Sequence, residues 1–493
     1  MGKHSFWVFL FILILSLAKS HGSRQAQTLR FWHKPAMFEG VDSSDLFKAE
    51  ELAEDEFEAY PQESLKEKDR IERLPGQPEV KFSQYGGYVT VDKFAGRALY
   101  YYFVEAQRSK DSLPLLLWFN GGPGCSSLGF GAMEELGPFR VHSDGKTLYT
   151  NRYSWNYAAN VLFLESPAGV GFSYSNGTSD YNTWGDRRTA IDNYVFLVNW
   201  LERFPEYKKR DVYIAGESYA GHFVPQLAHT ILYYNNKANK TIINLKGILI
   251  GNPVMDHVAD GWGLFEFYAG HALISDRTTN DLNRHCDFTR DCSNQSSKCL
   301  AAQDEAYSTF SDLFDEYNIY APLCKNTSVT AQPKKGSMAE FDPCSDYYVI
   351  AYLNRQDVQD ALHANVTKLS HDWQPCSDVI KKWGDRPTTI NPLIEEFLTS
   401  GLRVWIFSGD IDAVVPFTST RKSINKMKLP VETAWRPWVS NGEVGGYTEV
   451  YKGGLTFATV RGAGHEVPSY QPARAFTLVK HFIDGTALPI PKE

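Results

Sequence analysis

Positive charge is not in excess, close cysteine pairs are missing, and only one long apolar run occurs. Each absence removes a class of function. Lysine and arginine number 50 against 58 aspartates and glutamates in 493 residues, a formal net charge of -8. That balance argues against a nucleic-acid partner, whose phosphates call for a basic face. None of the seven cysteines (Cys125, Cys286, Cys292, Cys299, Cys324, Cys344 and Cys376) stands in a Cys-x-x-Cys pair, so no metal site is expected from them. The apolar run Phe6 to Leu17 is too short to persist as a membrane anchor, which needs roughly 20 residues. Lys3 and His4 precede it and Ala18-Lys19-Ser20 follow, the form of a secretory signal over residues 1–20. No internal repeat is evident. What remains, at 43% hydrophobic and 14% aromatic, is enough for one large folded unit with insertions.

Export makes disulfides the default state of the cysteines. Seven is odd, so one is free or pairs between chains. Asn-x-Ser/Thr tripeptides at Asn176, Asn239, Asn294, Asn326 and Asn365 are expected to carry glycans. From residue 21 to about Val80 the chain is polar and charged, with acids crowded between Glu50 and Glu58. This stretch reads as a propeptide, with a retained flexible extension as the alternative.

Chemistry first shows in Asp211-Val212-Tyr213-Ile214-Ala215-Gly216-Glu217-Ser218-Tyr219-Ala220-Gly221, an alternating apolar strand that breaks into a serine flanked by small residues. A strand turning at once into a helix lifts the serine hydroxyl above the sheet. The turn is so tight that the residues two before and two after the serine must be nearly without side chain. Gly216 and Ala220 stand there, the alanine departing from the usual glycine by one methyl group. Phe223, Val224, Leu227, Ala228, Ile231 and Leu232 fall on one face at the 3.6 period and predict the helix. Pro225 is expected early in it, where a missing N–H is harmless.

A nucleophilic serine needs a base and a carboxylate to orient that base. The strand Leu402 to Phe407 runs into Ser408-Gly409-Asp410-Ile411-Asp412-Ala413-Val414-Val415-Pro416, and the strand Leu455 to Val460 into Arg461-Gly462-Ala463-Gly464-His465-Glu466-Val467-Pro468. Between the two aspartates Asp412 is favoured, leaving Asp410 to brace the loop. Upstream, the strand Leu115 to Phe119 ends in Asn120-Gly121-Gly122-Pro123-Gly124-Cys125-Ser126-Ser127. Backbone N–H groups can approach a developing alkoxide only where side chains are absent, so Gly122 and Tyr219, just after the serine, are the expected oxyanion donors.

These four segments together resemble the serine carboxypeptidases, in their plant form, from about Phe82 to the C-terminus without a missing block. The resemblance implies an α/β fold, the α/β-hydrolase fold with a mostly helical, disulfide-bearing cap, and no metal or organic cofactor. It implies a serine-type exopeptidase that takes C-terminal amino acids from peptides and proteins, with Ser218, Asp412 and His465 as its triad. Asn120, Gly121, Glu217 and Glu135 (or Glu134) would bind the substrate's terminal carboxylate. The remaining glutamate of that pair is expected on a solvated helix face. Acids can hold an acid because like charges in one pocket raise a carboxyl pKa, and a protonated carboxyl donates a hydrogen bond; an acidic pH optimum follows. The implied disulfides are Cys125 with Cys376, Cys286 with Cys299 and Cys324 with Cys344, although Cys292 could displace either of its neighbours.

The implied organisation is a hydrolase core over 81–252 and 346–493, interrupted by a cap over 253–345. Two other readings remain. Plant relatives with the same triad act as acyltransferases on sugar esters, but they resemble Gly-Asp-Ser-Tyr-Ser-Gly at the elbow where this chain has Glu217 and Ala220. A non-catalytic protective scaffold is disfavoured by the intact set of motifs.

Overall fold

Leu115–Phe119 is apolar at every position, the pattern of a strand covered on both faces, and it lies near the middle of an 11-stranded sheet. The structure is a computed structural model that describes residues 38–41, 59–289, 295–308, 313–334, 341–369 and 371–491. The strands are β1 (Arg70–Ile71), β2 (Gln84–Asp92), β3 (Arg97–Val104), β4 (Leu115–Phe119), β5 (Asn160–Leu164), β6 (Val212–Glu217), β7 (Leu245–Gly251), β8 (Arg403–Gly409), β9 (Val431–Ser440), β10 (Glu443–Tyr451) and β11 (Leu455–Val460). Across the sheet they run β9-β10-β11-β8-β7-β6-β4-β5-β3-β2-β1. The segment β11-β8-β7-β6-β4-β5 is parallel; antiparallel strands flank it on both sides.

Helices cover both faces. Alternate residues of β4 divide between two cores. Leu115, Leu117 and Phe119 pack with α1 (Asp186–Arg203) and α2 (Ala220–Lys237) through Trp200, Phe223 and Leu227. Leu116 and Trp118 pack on the other side with α6 (Ser345–Leu353) and the C-terminal α7 (Pro472–Asp484). Between β7 and β8 the chain leaves the sheet and builds α3 (His257–Gly270), α4 (Asp276–His285) and α5 (Ser297–Ser308) around a third core that includes Phe265, Leu282, Cys299 and Ala413. Disulfides join Cys125 to Cys376, Cys286 to Cys299 and Cys324 to Cys344.

The N-terminal stretch is less separate than its composition suggests. Phe38–Val41 pairs in parallel with Trp383–Pro387. The Asp69 carboxylate accepts from Tyr101 Oη and Arg203 Nη1, both at 2.6 Å. Gln62 Oε1 accepts from Arg203 Nε and Nη2 at 2.9 and 2.8 Å, and Leu74 is fully buried. Part of the stretch read as a propeptide thus packs on the body of the protein through Gln62, Asp69 and Leu74. The signal segment, the acids at 50–58, Cys292 and Asn294 lie outside the described residues. Of the other glycan tripeptides, Asn176, Asn239 and Asn326 are exposed. Asn365 is half-buried, its Nδ2 donating to Gln359 Oε1.

Candidate active site

Four segments meet at the C-terminal ends of the parallel strands β11, β8, β6 and β4, with β7 between β8 and β6, where open α/β sheets place their ligands. β6 ends at Glu217 and α2 begins at Ala220, so Ser218 and Tyr219 make the whole turn. Ser218 has φ 62°, a left-handed conformation that costs a residue with a Cβ about 1–3 kcal/mol and persists only where the surroundings enforce it. Three backbone bonds do so: Ser218 N–H to the Gly251 carbonyl, Val254 N–H to the Ser218 carbonyl, both at 3.0 Å, and Gly221 N–H to the same carbonyl at 2.9 Å. A Cβ on Gly216 would stand 2.5 Å from the Phe119 oxygen and 2.6 Å from the Ala220 methyl. The two small positions of the elbow face each other, so the single methyl of Ala220 fits because Gly216 has none. Pro225 is the sixth residue of α2, inside the helix rather than in its opening turn, because the helix begins at once after the elbow.

Asp412, in the loop after β8, is fully buried. Its Oδ1 accepts from Val414 and Val415 N–H at 2.7 and 3.2 Å, and its Oδ2 from Asn252 Nδ2 at 2.6 Å and His465 Nδ1 at 2.8 Å. With Nδ1 donating, His465 presents a bare Nε2, the tautomer of a base. The His465 N–H bonds the Tyr317 carbonyl at 2.7 Å, and the Tyr317 ring meets the imidazole edge-on at 4.9 Å. Asp410 instead accepts the Gly462 N–H at 2.7 Å, joining the loops after β8 and β11.

In the bend after β4, the Asn120 Oδ1 accepts from Trp118 Nε1 at 2.7 Å and Gly131 N–H at 3.1 Å. Its amide cannot flip without losing both, so its Nδ2 faces Glu135 Oε1 at 2.7 Å and Glu217 Oε1 at 3.1 Å. Gly121 lies against the elbow: a Cβ there would fall on the Tyr219 nitrogen and 2.8 Å from the Ser218 Cβ. The helical turn after the bend, Ser127–Glu135, is a π-helix in which every residue is buried. Neither Glu134 nor Glu135 is solvated, contrary to the expectation for one of them. A wide turn packed all round has no outer face to offer.

The family model described as serine carboxypeptidase matches residues 75–485. The chain belongs to the serine carboxypeptidase family. It is 63% identical over 434 residues to serine carboxypeptidase-like 40 of Arabidopsis thaliana, covering 87% of this chain and 85% of that protein. It is 51% identical over 446 residues to serine carboxypeptidase 24 of the same plant, covering 86% and 93%. In fold it is similar to the crystal structure of Kex1(Δ)p, a prohormone-processing carboxypeptidase from Saccharomyces cerevisiae. The TM-score is 0.72 and the identity 24%, over 86% of this chain and 97% of the yeast chain. The fold is thus the α/β-hydrolase fold and the protein a hydrolase of the peptidase class. No helix among the described residues is long and apolar enough to cross a membrane.

What distinguishes this serine carboxypeptidase site electrostatically is its concentration of buried acids. Burial pushes Glu217 well above the usual carboxylate range, with Glu135 and Glu466 adding to it. Glu135 is also raised by burial, against the Asn120 bond that opposes it, and its carboxyl hydrogen-bonds that of Glu217. Glu134 and Asp346 form a second carboxyl pair, both raised by burial. Glu466 stands between the pairs, raised by burial and then by Glu135 and Asp346. Glu135 lies within electrostatic reach of His465, and Glu217 within reach of Asp412. Beneath the bend, Glu165 accepts from Ser126 Oγ and from the N–H groups of Leu128 (3.1 Å) and Phe172 (3.0 Å); burial raises it to about 7.

Sequence reasoning missed Glu466, Asp346, Asn252 and Tyr317. Glu466 directly follows His465 in a motif already singled out, and was legible as one more acid beside the base. Asn252 directly follows β7 and could have been suspected as the last residue before the cap. Asp346 and Tyr317 lie in segments with no motif.

Proposed function

We propose that this enzyme removes single C-terminal residues through an acyl-enzyme on Ser218, at acidic pH, in the secretory pathway, outside the cell or in the vacuole. The observation that carries the reading is the Asn120, Glu135 and Glu217 cluster beside the elbow, an arrangement suited to a carboxylate only when a carboxyl is protonated. Ser218 Oγ attacks the carbonyl of the last peptide bond, its proton passing to His465 Nε2, while Asp412 holds Nδ1–H and stabilises the imidazolium. The N–H groups of Gly122 and Tyr219 stabilise the oxyanion. His465 returns the proton to the departing amine, and water then releases the acyl group by the reverse route. The substrate's terminal carboxylate accepts from Asn120 Nδ2, Gly121 N–H and the proton shared by Glu135 and Glu217. Three disulfides support the oxidising compartment.

The test compares a blocked dipeptide as free acid and as amide, from acidic to neutral pH. Preference for the free acid that fades as pH rises supports the reading. Absence of any release by wild type, with acyl transfer from sugar esters instead, overturns it. Glu217→Gln sharpens the test, because glutamine is a neutral donor at every pH. The variant's pH profile on the free acid is expected to flatten, while its kcat/KM on an ester substrate stays within about threefold, less than the loss of one good hydrogen bond. A profile unchanged from wild type, or equal losses on both substrates, would remove Glu217 from carboxylate binding.

A further inference from the structure

Tyr219 is engaged at both ends. In the reading above, on which this inference rests, its backbone N–H is an oxyanion donor. Its side chain points away from that site, and its hydroxyl donates at 2.9 Å to Asp186, the first residue of α1 and 1% exposed. Three more donors converge on the same carboxylate. Trp383 Nε1 shares Oδ1 at 2.7 Å, while Gln226 Nε2 at 2.7 Å and His222 Nδ1 at 3.0 Å bond Oδ2. All four acceptor positions are filled. His222 and Gln226 belong to the first two turns of α2 and Tyr219 immediately precedes it, so one carboxylate grips the helix that leaves the elbow at two points and the residue before it at a third. The His222 ring lies flat on that of Tyr219, with centroids 4.7 Å apart and an 11° interplanar angle. Burial pushes the His222 pKa down, which favours the neutral ring. The Arg386 guanidinium sits 5.6 Å from the Tyr219 ring centroid. Asp186 is itself held: its N–H and that of Arg187 donate to Asp385 at 2.5 and 3.3 Å.

We propose that Asp186 is a positioning residue for the oxyanion hole. The φ of 62° at Ser218 strains the very peptide whose N–H is the Tyr219 donor, and relaxation there would turn that N–H away from the oxyanion. The three backbone bonds at Ser218 hold the serine side of this peptide, and Asp186 holds the tyrosine side. Asp186 touches neither substrate nor Ser218, and its effect passes wholly through Tyr219 and the first turns of α2.

Asp186→Asn puts an amide donor among four donors, and Tyr219→Phe deletes one hydroxyl while leaving the ring. The experiment measures kcat and KM on the free-acid dipeptide, the rate of Ser218 phosphonylation by a fluorophosphonate, and the Tm, with active sites counted by the phosphonylation end-point. Removing an oxyanion donor outright costs about a hundred- to a thousandfold, so a misaimed one is expected to cost about ten- to a hundredfold. Both variants should lose that factor in kcat per titrated site and in phosphonylation rate, with KM little changed. A lowered Tm with wild-type kcat and phosphonylation rate per titrated site would make Asp186 merely structural and overturn the proposal. Phosphonylation needs the serine and its oxyanion hole but no carboxylate pocket. A wild type that labels normally yet releases no amino acid would therefore sink the carboxypeptidase reading, and the labelling rates of the two variants would still decide this one.

Discussion

Ser218→Ala is expected to lower the rate of C-terminal residue release about a millionfold, the scale seen when a serine nucleophile is removed, with Tm unchanged. Alanine carries the same Cβ as serine, so the φ of 62° costs the folded state the same in both. The backbone bonds to Gly251, Val254 and Gly221 are untouched. Asp412→Asn should behave differently in both respects. The Asp412 carboxylate receives two donors on each oxygen, Val414 and Val415 on one, Asn252 and His465 on the other. An asparagine must aim its NH2 at one of those pairs. Toward Val414 and Val415 it opposes two fixed backbone N–H groups. Toward His465 it forces the imidazole to accept at Nδ1, which places the proton on Nε2 and leaves no base for the serine. The second outcome costs about ten-thousandfold in kcat. Either leaves buried donors unpaired, at about 1–3 kcal/mol each, so the Asn variant should also melt lower. Kinetics and melting curves on the two proteins check this. A Ser218→Ala protein that retains release would exclude the serine mechanism, whereas a protective scaffold would keep its biological role in that variant.

Much of this arrangement was legible because the central strands of a parallel sheet are covered on both faces and write themselves as mostly apolar runs. Leu115–Phe119, Val212–Glu217 and Leu455–Val460 are buried at every position, and the motif residues sit directly at their ends. The elbow was legible for a steric reason, since Gly216 and Ala220 oppose each other across it. Polar residues whose partners come from distant elements were not legible. Asp186 opens α1, yet its donors lie 33, 36, 40 and 197 residues further on. Asn252 reaches 160 residues to Asp412. No period or local spacing encodes such meetings. The packing of residues 60–80 was hidden for a related reason. Composition marks that stretch as polar, but Gln62 and Asp69 are polar in order to bind Arg203, and are not solvated.

The same buried acids make stability depend on pH, and the second large expectation is a protein that is most stable in acid. Burial is the leading cause of each upward shift: Glu165, Asp260 and Asp315 to about 7, Asp192 and Asp385 to about 6, with Glu134, Glu217 and Glu466 well above the normal range. In the unfolded chain these groups titrate near their ordinary values, about 4. Between about pH 4 and 7 the folded protein therefore binds more protons than the unfolded one, and the unfolding free energy falls as pH rises through that window. Each fully shifted group contributes at most about 1.4 kcal/mol per pH unit. Opposing contributions are smaller in number or lie elsewhere. Asp144, Asp180 and Asp357 are shifted down and act only at lower pH, while His222 and His481, also shifted down by burial, work against the trend. Thermal melting at constant ionic strength should thus show Tm highest near pH 4, where the unfolded carboxylates take up protons, and lower by several degrees at pH 8; a Tm that rises over that range overturns the expectation. Glu134→Gln supplies the sharper reading. Glutamine keeps a neutral donor facing Asp346 but cannot ionise, so the variant should match wild type in acid and lose less stability on the way to neutral pH. Equal slopes in the two proteins would mean that Glu134 does not take up its proton on folding.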